Sequence, residues 1–94
     1  MRRVRILTGA RTDIGRLVAF LRDKSPAAAN KAAARITQGI LSLGEFADRG
    51  RKGPVEGLRE LVVRFGRDAY IIQYRVGSSD VIVARVFHSR LYRR

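Results

Sequence analysis

The sequence predicts an α+β fold of order β-α-α-β-β-β, a helical hairpin packed on one face of a mainly antiparallel sheet. Two observations carry the prediction. Two stretches with helical apolar spacing stand back to back in the first half, divided only by Ser25-Pro26. Strand-like segments at 58–65, 70–76 and 81–88 then follow, with short polar turns between them. A chain of 94 residues supports one core and is too short for two, so residues 1–94 read as one domain.

The elements follow in chain order. Val4 and Ile6 alternate with arginines, the pattern of a short strand with one wet side. A break is expected at Gly9. Ile14, Leu17, Val18 and Leu21 fall on one helical stripe, with Thr12 or Asp13 as the expected cap. Ser25-Pro26 opens the second helix, serine as cap and proline at the first helical position, where its missing N–H costs nothing. Ala29, Ala33, Ile36, Ile40 and Leu43 form its seam, and Gly44 marks its end. Glycines and the basic run Arg49, Arg51 and Lys52 make 47–57 a loop. In the strands, Leu61, Val63 and Phe65 share a face, as do Tyr70, Ile72, Tyr74 and Val76. A four-residue loop would set Phe65 opposite Tyr70 and Glu60 opposite Arg75 as a cross-strand ion pair. The expected core is Ile14, Leu17, Leu21, Ile36, Ile40, Leu43, Leu61, Val63, Tyr70, Ile72, Tyr74 and Val86. The other face of the sheet would carry Arg64, Gln73, Arg75 and Arg85, an electropositive surface.

Charge and composition narrow the function. Twenty Lys and Arg face eight Asp and Glu, a formal net charge of +12. The excess is spread along the chain, +5 over residues 1–48 and +7 over 49–94. With 46% hydrophobic residues this is a folding chain rather than a basic tail, and its partners should be acidic. The absence of cysteine excludes disulfides, thiolate metal sites and thiol catalysis, and a lone His88 excludes a multi-histidine metal site. No cofactor or metal is expected. No signal-peptide pattern is visible, and the longest apolar run, at 17–21, is far below the ~20 residues of a membrane span. The expectation is a cytoplasmic protein. A DNA-reading helix-turn-helix finds no support, since Lys31 and Arg35 are sparse among the second helix's alanines. An RNA-binding sheet with exposed aromatics fails because the tyrosines align with the core face.

The element order joins a set of motifs: Ser25-Pro26 before an alanine-rich helix, Leu58-Arg-Glu-Leu61, Tyr70-Ile-Ile-Gln-Tyr74, and the closing Ala84-Arg-Val-Phe-His88-Ser-Arg90. On these the whole chain resembles the RelE/ParE superfamily of bacterial type II toxins, closer to the ParE branch. The resemblance implies the toxin component of a toxin-antitoxin system, of the plasmid-stabilization kind. It implies a ParD-like antitoxin whose acidic C-terminal segment wraps the toxin in a hetero-oligomer, with DNA gyrase inhibited by binding. The alternative it carries is a RelE-like mRNA endonuclease acting on the ribosome.

The candidate residues follow. For target binding they are Arg64, Arg75, Arg85, His88, Arg90, Tyr92, Arg93 and Arg94. For the antitoxin they are Phe20, which flanks the first helix's stripe, and Arg59, which either binds the antitoxin or bridges to a helix terminus. No catalytic residue is favoured. A nuclease would need a base, an acid and cations around a phosphate, and Arg64, His88, Arg90 and Tyr92 are the matching parts. Against that reading, Ser89 stands where some nuclease relatives carry tyrosine, and their lysine pair has no match. His88 is instead expected on the helix-facing side beside Tyr70, anchoring the last strand.

Overall fold

The computed structural model describes residues 1–92. Strand β1 (Arg3–Ile6) leads into helix α1 (Thr8–Lys24) and helix α2 (Pro26–Ser42), followed by β2 (Arg51–Lys52), β3 (Arg59–Phe65), β4 (Asp68–Val76) and β5 (Asp80–His88). The strands form one sheet in the order β1-β5-β4-β3-β2, with β1 parallel to β5 and every other pair antiparallel. Both helices cover one face, α1 against β5 and α2 against β3. The core between them contains Ile36, Ile40, Leu43, Leu61, Tyr70, Ile72, Tyr74, Val81, Val83 and Val86.

Helix α2 forms as its sequence dictates. Ser25 Oγ accepts the Ala28 amide at 3.2 Å and Pro26 occupies the first helical position. Small residues then let the helix sit close to the sheet. A Cβ at Gly39 would meet Val63 Cγ2 at 2.8 Å, so the helix presents glycine where β3 passes beneath it. The buried seam runs Ala29, Ala32, Ile36, Gly39 and Ile40, with Ala32 fully buried where Ala33 was expected.

Four expectations need correction. Gly9 does not break the chain: α1 begins at Thr8, with Leu7 at its cap position and no side-chain cap. Neither Thr12 nor Asp13 caps it, because both lie inside the helix. The segment 47–57 is not wholly loop, since Arg51 and Lys52 add a fifth strand beside β3. The β3–β4 register is also displaced. Gly66 takes a left-handed φ of 60° at the first position of a two-residue turn, so Phe65 faces Asp68 and Val63 faces Tyr70. A slip of two positions leaves every side chain on its expected face and changes its partner. Glu60 therefore lies opposite Gln73, and the Glu60–Arg75 ion pair does not form.

Where β1 ends beside Val83, β5 runs on to His88 with an uncovered edge. Asp13 of α1 fills that gap. One carboxylate oxygen accepts the Val86 amide at 2.9 Å, and the two together take the Arg85 guanidinium at 2.8 and 3.0 Å. Burial works to raise the Asp13 pKa. The hydrogen bonds from Arg85 and the Val86 amide, with the charges of Arg85 and Arg16, outweigh it and hold the carboxyl below its usual range.

Candidate functional site

The two sides of β5 offer different surfaces. On the helix side, a groove of about 450 Å³ opens between the C-terminal half of α1 and the end of β5. Leu17, Phe20, Leu21, Tyr70 and Leu91 supply its apolar wall, and Arg16 and Arg90 stand at its rim. The α1 stripe predicted at Ile14, Leu17 and Leu21 is only partly buried, because β5 and α2 together cover less of α1 than its apolar width. Phe20 is 63% exposed, and its ring carries the Lys24 ammonium 4.9 Å from its centroid.

Asp68 organises the polar end of this groove. Its carboxylate meets Arg90 Nε at 2.9 Å and His88 Nε2 at 3.5 Å. His88 Nδ1 accepts the Arg90 amide at 3.1 Å, and the imidazole packs edge-on against Tyr70, ring centroids 5.7 Å apart. Burial, then the Asp68 carboxylate, push the Tyr70 phenol above its usual pKa. His88 thus faces the helices beside Tyr70 and ties down the end of β5, as the sequence suggested.

The open face carries a different group. After β5 a turn brings Tyr92 back over the sheet, its amide bonded to the His88 carbonyl at 3.1 Å. Its ring stacks on Phe87, centroids 4.9 Å apart and 17° from parallel. Its hydroxyl donates to Glu60 Oε2 and accepts from Gln73 Nε2 at 3.0 Å. Glu60, 1% exposed, also takes Gln73 at 3.2 Å and Arg51 at 3.3 Å. Sequence reasoning missed this network. The four-residue loop expected from the sequence pairs Glu60 with Arg75 instead, and the loop expected over 47–57 keeps Arg51 away from β3.

The predicted open-face arginine cluster is not assembled. Arg64 and Arg75 lie near opposite ends of the face, level with Ala69 and Ile82, ~20 Å apart along β4. Arg85 turns to the sheet edge to meet Asp13, whose hydrogen bond and charge raise its pKa further. Arg75 donates to the Glu56 carbonyl at 3.3 Å. Gln73, placed on an electropositive surface by the sequence, is buried under Tyr92. Arg59 donates to the Asp48 carbonyl at 2.8 Å and to the Gly50 carbonyl, bridging to the turn after α2, the structural role the sequence reading set beside an antitoxin contact. Of the nuclease parts, His88 and Tyr92 lie on opposite faces, and Arg64 is exposed at the end of β3. Arg93 and Arg94 lie outside the described residues. Among the described residues no three His, Asp or Glu gather as a metal site would require.

The model of the ParE toxin of the parDE type II toxin-antitoxin system matches residues 4–91. The chain belongs to this family. Among curated proteins it is similar to Toxin RelE3 of Caulobacter vibrioides, 36% identical over 95% of this chain and 96% of that one. It is also similar to Toxin RelE1 of the same organism, 38% identical over 84% of each. Among solved structures the fold resembles a chain of the chromosomal ParDE system from P. aeruginosa, with a TM-score of 0.81, 22% identity and coverage of 94% and 96%. A conserved hypothetical protein from Helicobacter pylori superposes with a TM-score of 0.56, 18% identity and coverage of 96% and 97%. The chain is therefore a type II toxin of the RelE/ParE superfamily, and that membership implies an antitoxin partner. No helix among the described residues is long and apolar enough to cross a membrane.

Proposed function

We propose that this toxin is ParE-like in action, inhibiting DNA gyrase by binding, and that the α1–β5 groove receives the acidic C-terminal segment of a ParD-like antitoxin. The observation that carries the target reading is the division of the nuclease parts. A phosphoryl-transfer site needs its base, acid and cations around one phosphate. Here His88 is committed to Asp68 and Tyr70 on the helix face, while Tyr92 is committed to Glu60 and Gln73 on the other. Binding needs no such convergence.

The antitoxin reading rests on the groove itself. Leu17, Phe20, Leu21 and Leu91 offer an apolar floor, and Arg16 and Arg90 supply charge for an acidic partner on a chain of net +12. His88 and Arg90, target-binding candidates, line the same groove, so an antitoxin seated there would cover part of the surface offered to the target. Arg64, at the same end of the sheet, completes that surface in this reading.

The nuclease reading keeps two observations of its own. Both curated relatives above carry the name RelE. Glu60, Tyr92 and Arg51 also bring a carboxylate, a phenol and a guanidinium together on the open face. A paired assay separates the readings: purified toxin against supercoiling by gyrase, and against messenger RNA on translating ribosomes. We expect supercoiling to fail and the message to remain intact. Site-specific cleavage that disappears in Arg64→Ala or falls ~100-fold in His88→Gln, with supercoiling untouched, would establish the nuclease instead.

A further inference from the structure

The sheet's open face has a second basic region, at the end away from Tyr92. Parallel pairing sets Arg3 beside Asp80 and Arg5 beside Ile82, and antiparallel pairing sets Ile82 beside Arg75. Val4 and Ile6 go to the core, so Arg3 and Arg5 project from the open face ~7 Å apart, with Arg75 two strands away at ~10 Å. A cleft of about 620 Å³ beside them is lined by Arg2, Arg3, Arg5, Ser79 and Asp80.

These guanidinium groups are weakly engaged. Arg3 has no side-chain partner among the described residues, Arg5 meets Asp80 only at 3.8 Å with 60% of its side chain exposed, and Arg75 holds one long bond to a carbonyl. Arg2 donates its Nε to the Gly77 carbonyl at 2.9 Å. Arg2, Arg3 and Arg5 thus share one cleft with a single carboxylate, Asp80, and Arg75 extends the basic face two strands over, with its guanidinium at the Glu56 carbonyl. Arginine's planar fork suits phosphate oxygens.

We propose that this surface binds the phosphate backbone of duplex DNA without reading its sequence, and that it stays open when the antitoxin fills the groove on the opposite face. The choice of duplex over single strand follows from the side chains present. Single strands are held largely by stacking on exposed aromatics, and Arg3, Arg5, Arg75, Asp80 and Ile82 include none. The face's aromatic pair, Phe87 and Tyr92, is stacked on itself farther along the sheet. The proposal does not depend on which target the toxin strikes.

The test uses the purified toxin–antitoxin complex and a fluorescent 20-base-pair duplex of arbitrary sequence, titrated from 50 to 200 mM salt. Arg3→Gln, Arg5→Gln and Arg75→Gln together should weaken binding at least ~10-fold at low salt and remove about three units from the log–log salt slope. The charge-matched set Arg11→Gln, Arg22→Gln and Lys31→Gln, all exposed on the helices, should stay within ~threefold of wild type. Because both sets leave the antitoxin unchanged, any contribution the antitoxin makes to DNA binding cancels in the comparison. Equal losses from the two sets would reduce the effect to diffuse charge and overturn the proposal. So would a wild-type complex that fails to bind the duplex, or one that prefers single-stranded RNA of equal length.

Discussion

Helices α1 and α2 have the same length, 17 residues, and are joined through a single residue, yet the fold uses them differently. Five residues of α2 are buried, at the spacing of one helical face. In α1 only Ala10 reaches full burial, while Ile14, Leu17 and Leu21 are partly buried and Phe20 is exposed. The physical difference lies beneath them. Helix α2 sits over β3 with Gly39 allowing close approach, whereas α1 lies toward β5 and leaves its apolar stripe overhanging. A monomer that keeps exposed apolar surface beside basic side chains is incomplete in a particular way. In the reading proposed above, the chain invests α2 in its own core and leaves the overhanging face of α1 to the antitoxin.

Two substitutions should break the comparison if it is wrong. Ile36→Ala on α2 should cost ~2–5 kcal/mol, the loss of transfer energy plus a cavity the sheet cannot fill. Leu17→Ala on α1 should cost the isolated toxin less than Ile36→Ala does, under ~2 kcal/mol, because the side chain is only partly buried and its loss opens no closed cavity. Denaturant midpoints at constant slope measure both. Equal destabilisation would show that α1 is as much a part of the core as α2.

Asp13 sharpens the same contrast, because it is the polar pin that holds α1 against the bare edge of β5. Asp13→Asn should cost ~1 kcal/mol at neutral pH, with the amide oxygen still able to accept from Val86. The pH dependence has a fixed sign. The folded carboxyl lies below its unfolded value of about 4, so its contribution is fully present above that pH and is lost as pH falls through the lowered folded value. Wild type and Asp13→Asn should therefore differ at pH 6 and converge toward pH 2 in thermal melts. A gap that widens on acidification would contradict the assignment.

Periodicity made the elements legible, and pairing geometry made the rest illegible. Ser25-Pro26, the α2 seam and the faces of β3 and β4 could be read because each depends on residues a few positions apart. The Glu60–Gln73–Tyr92 network could not, since it hangs on one torsion: Gly66 at positive φ shortens the hairpin loop by two residues and exchanges Arg75 for Gln73. Asp13 misled because a carboxylate near a helix start resembles a cap, whereas its real partner lies 73 residues away. Arg3 and Arg5 passed as solvated because nothing local says that β1 joins β5 and approaches Arg75. The placements best anticipated were those of His88, beside Tyr70 at the end of β5, and Phe20, exposed beside α1's apolar stripe.

The central claim is that the overhanging face of α1 is the antitoxin's seat, and Phe20→Ala tests it most directly. Phe20 is mostly exposed and contributes little to the isolated fold, so the variant should melt within a few degrees of wild type. Its affinity for the antitoxin, measured by dissociation rate and by titration, should fall ~30-fold, about 2 kcal/mol, as expected for an aromatic anchor. A variant that binds the antitoxin as tightly as wild type does would place the antitoxin elsewhere and return α1's exposed stripe to mere surface.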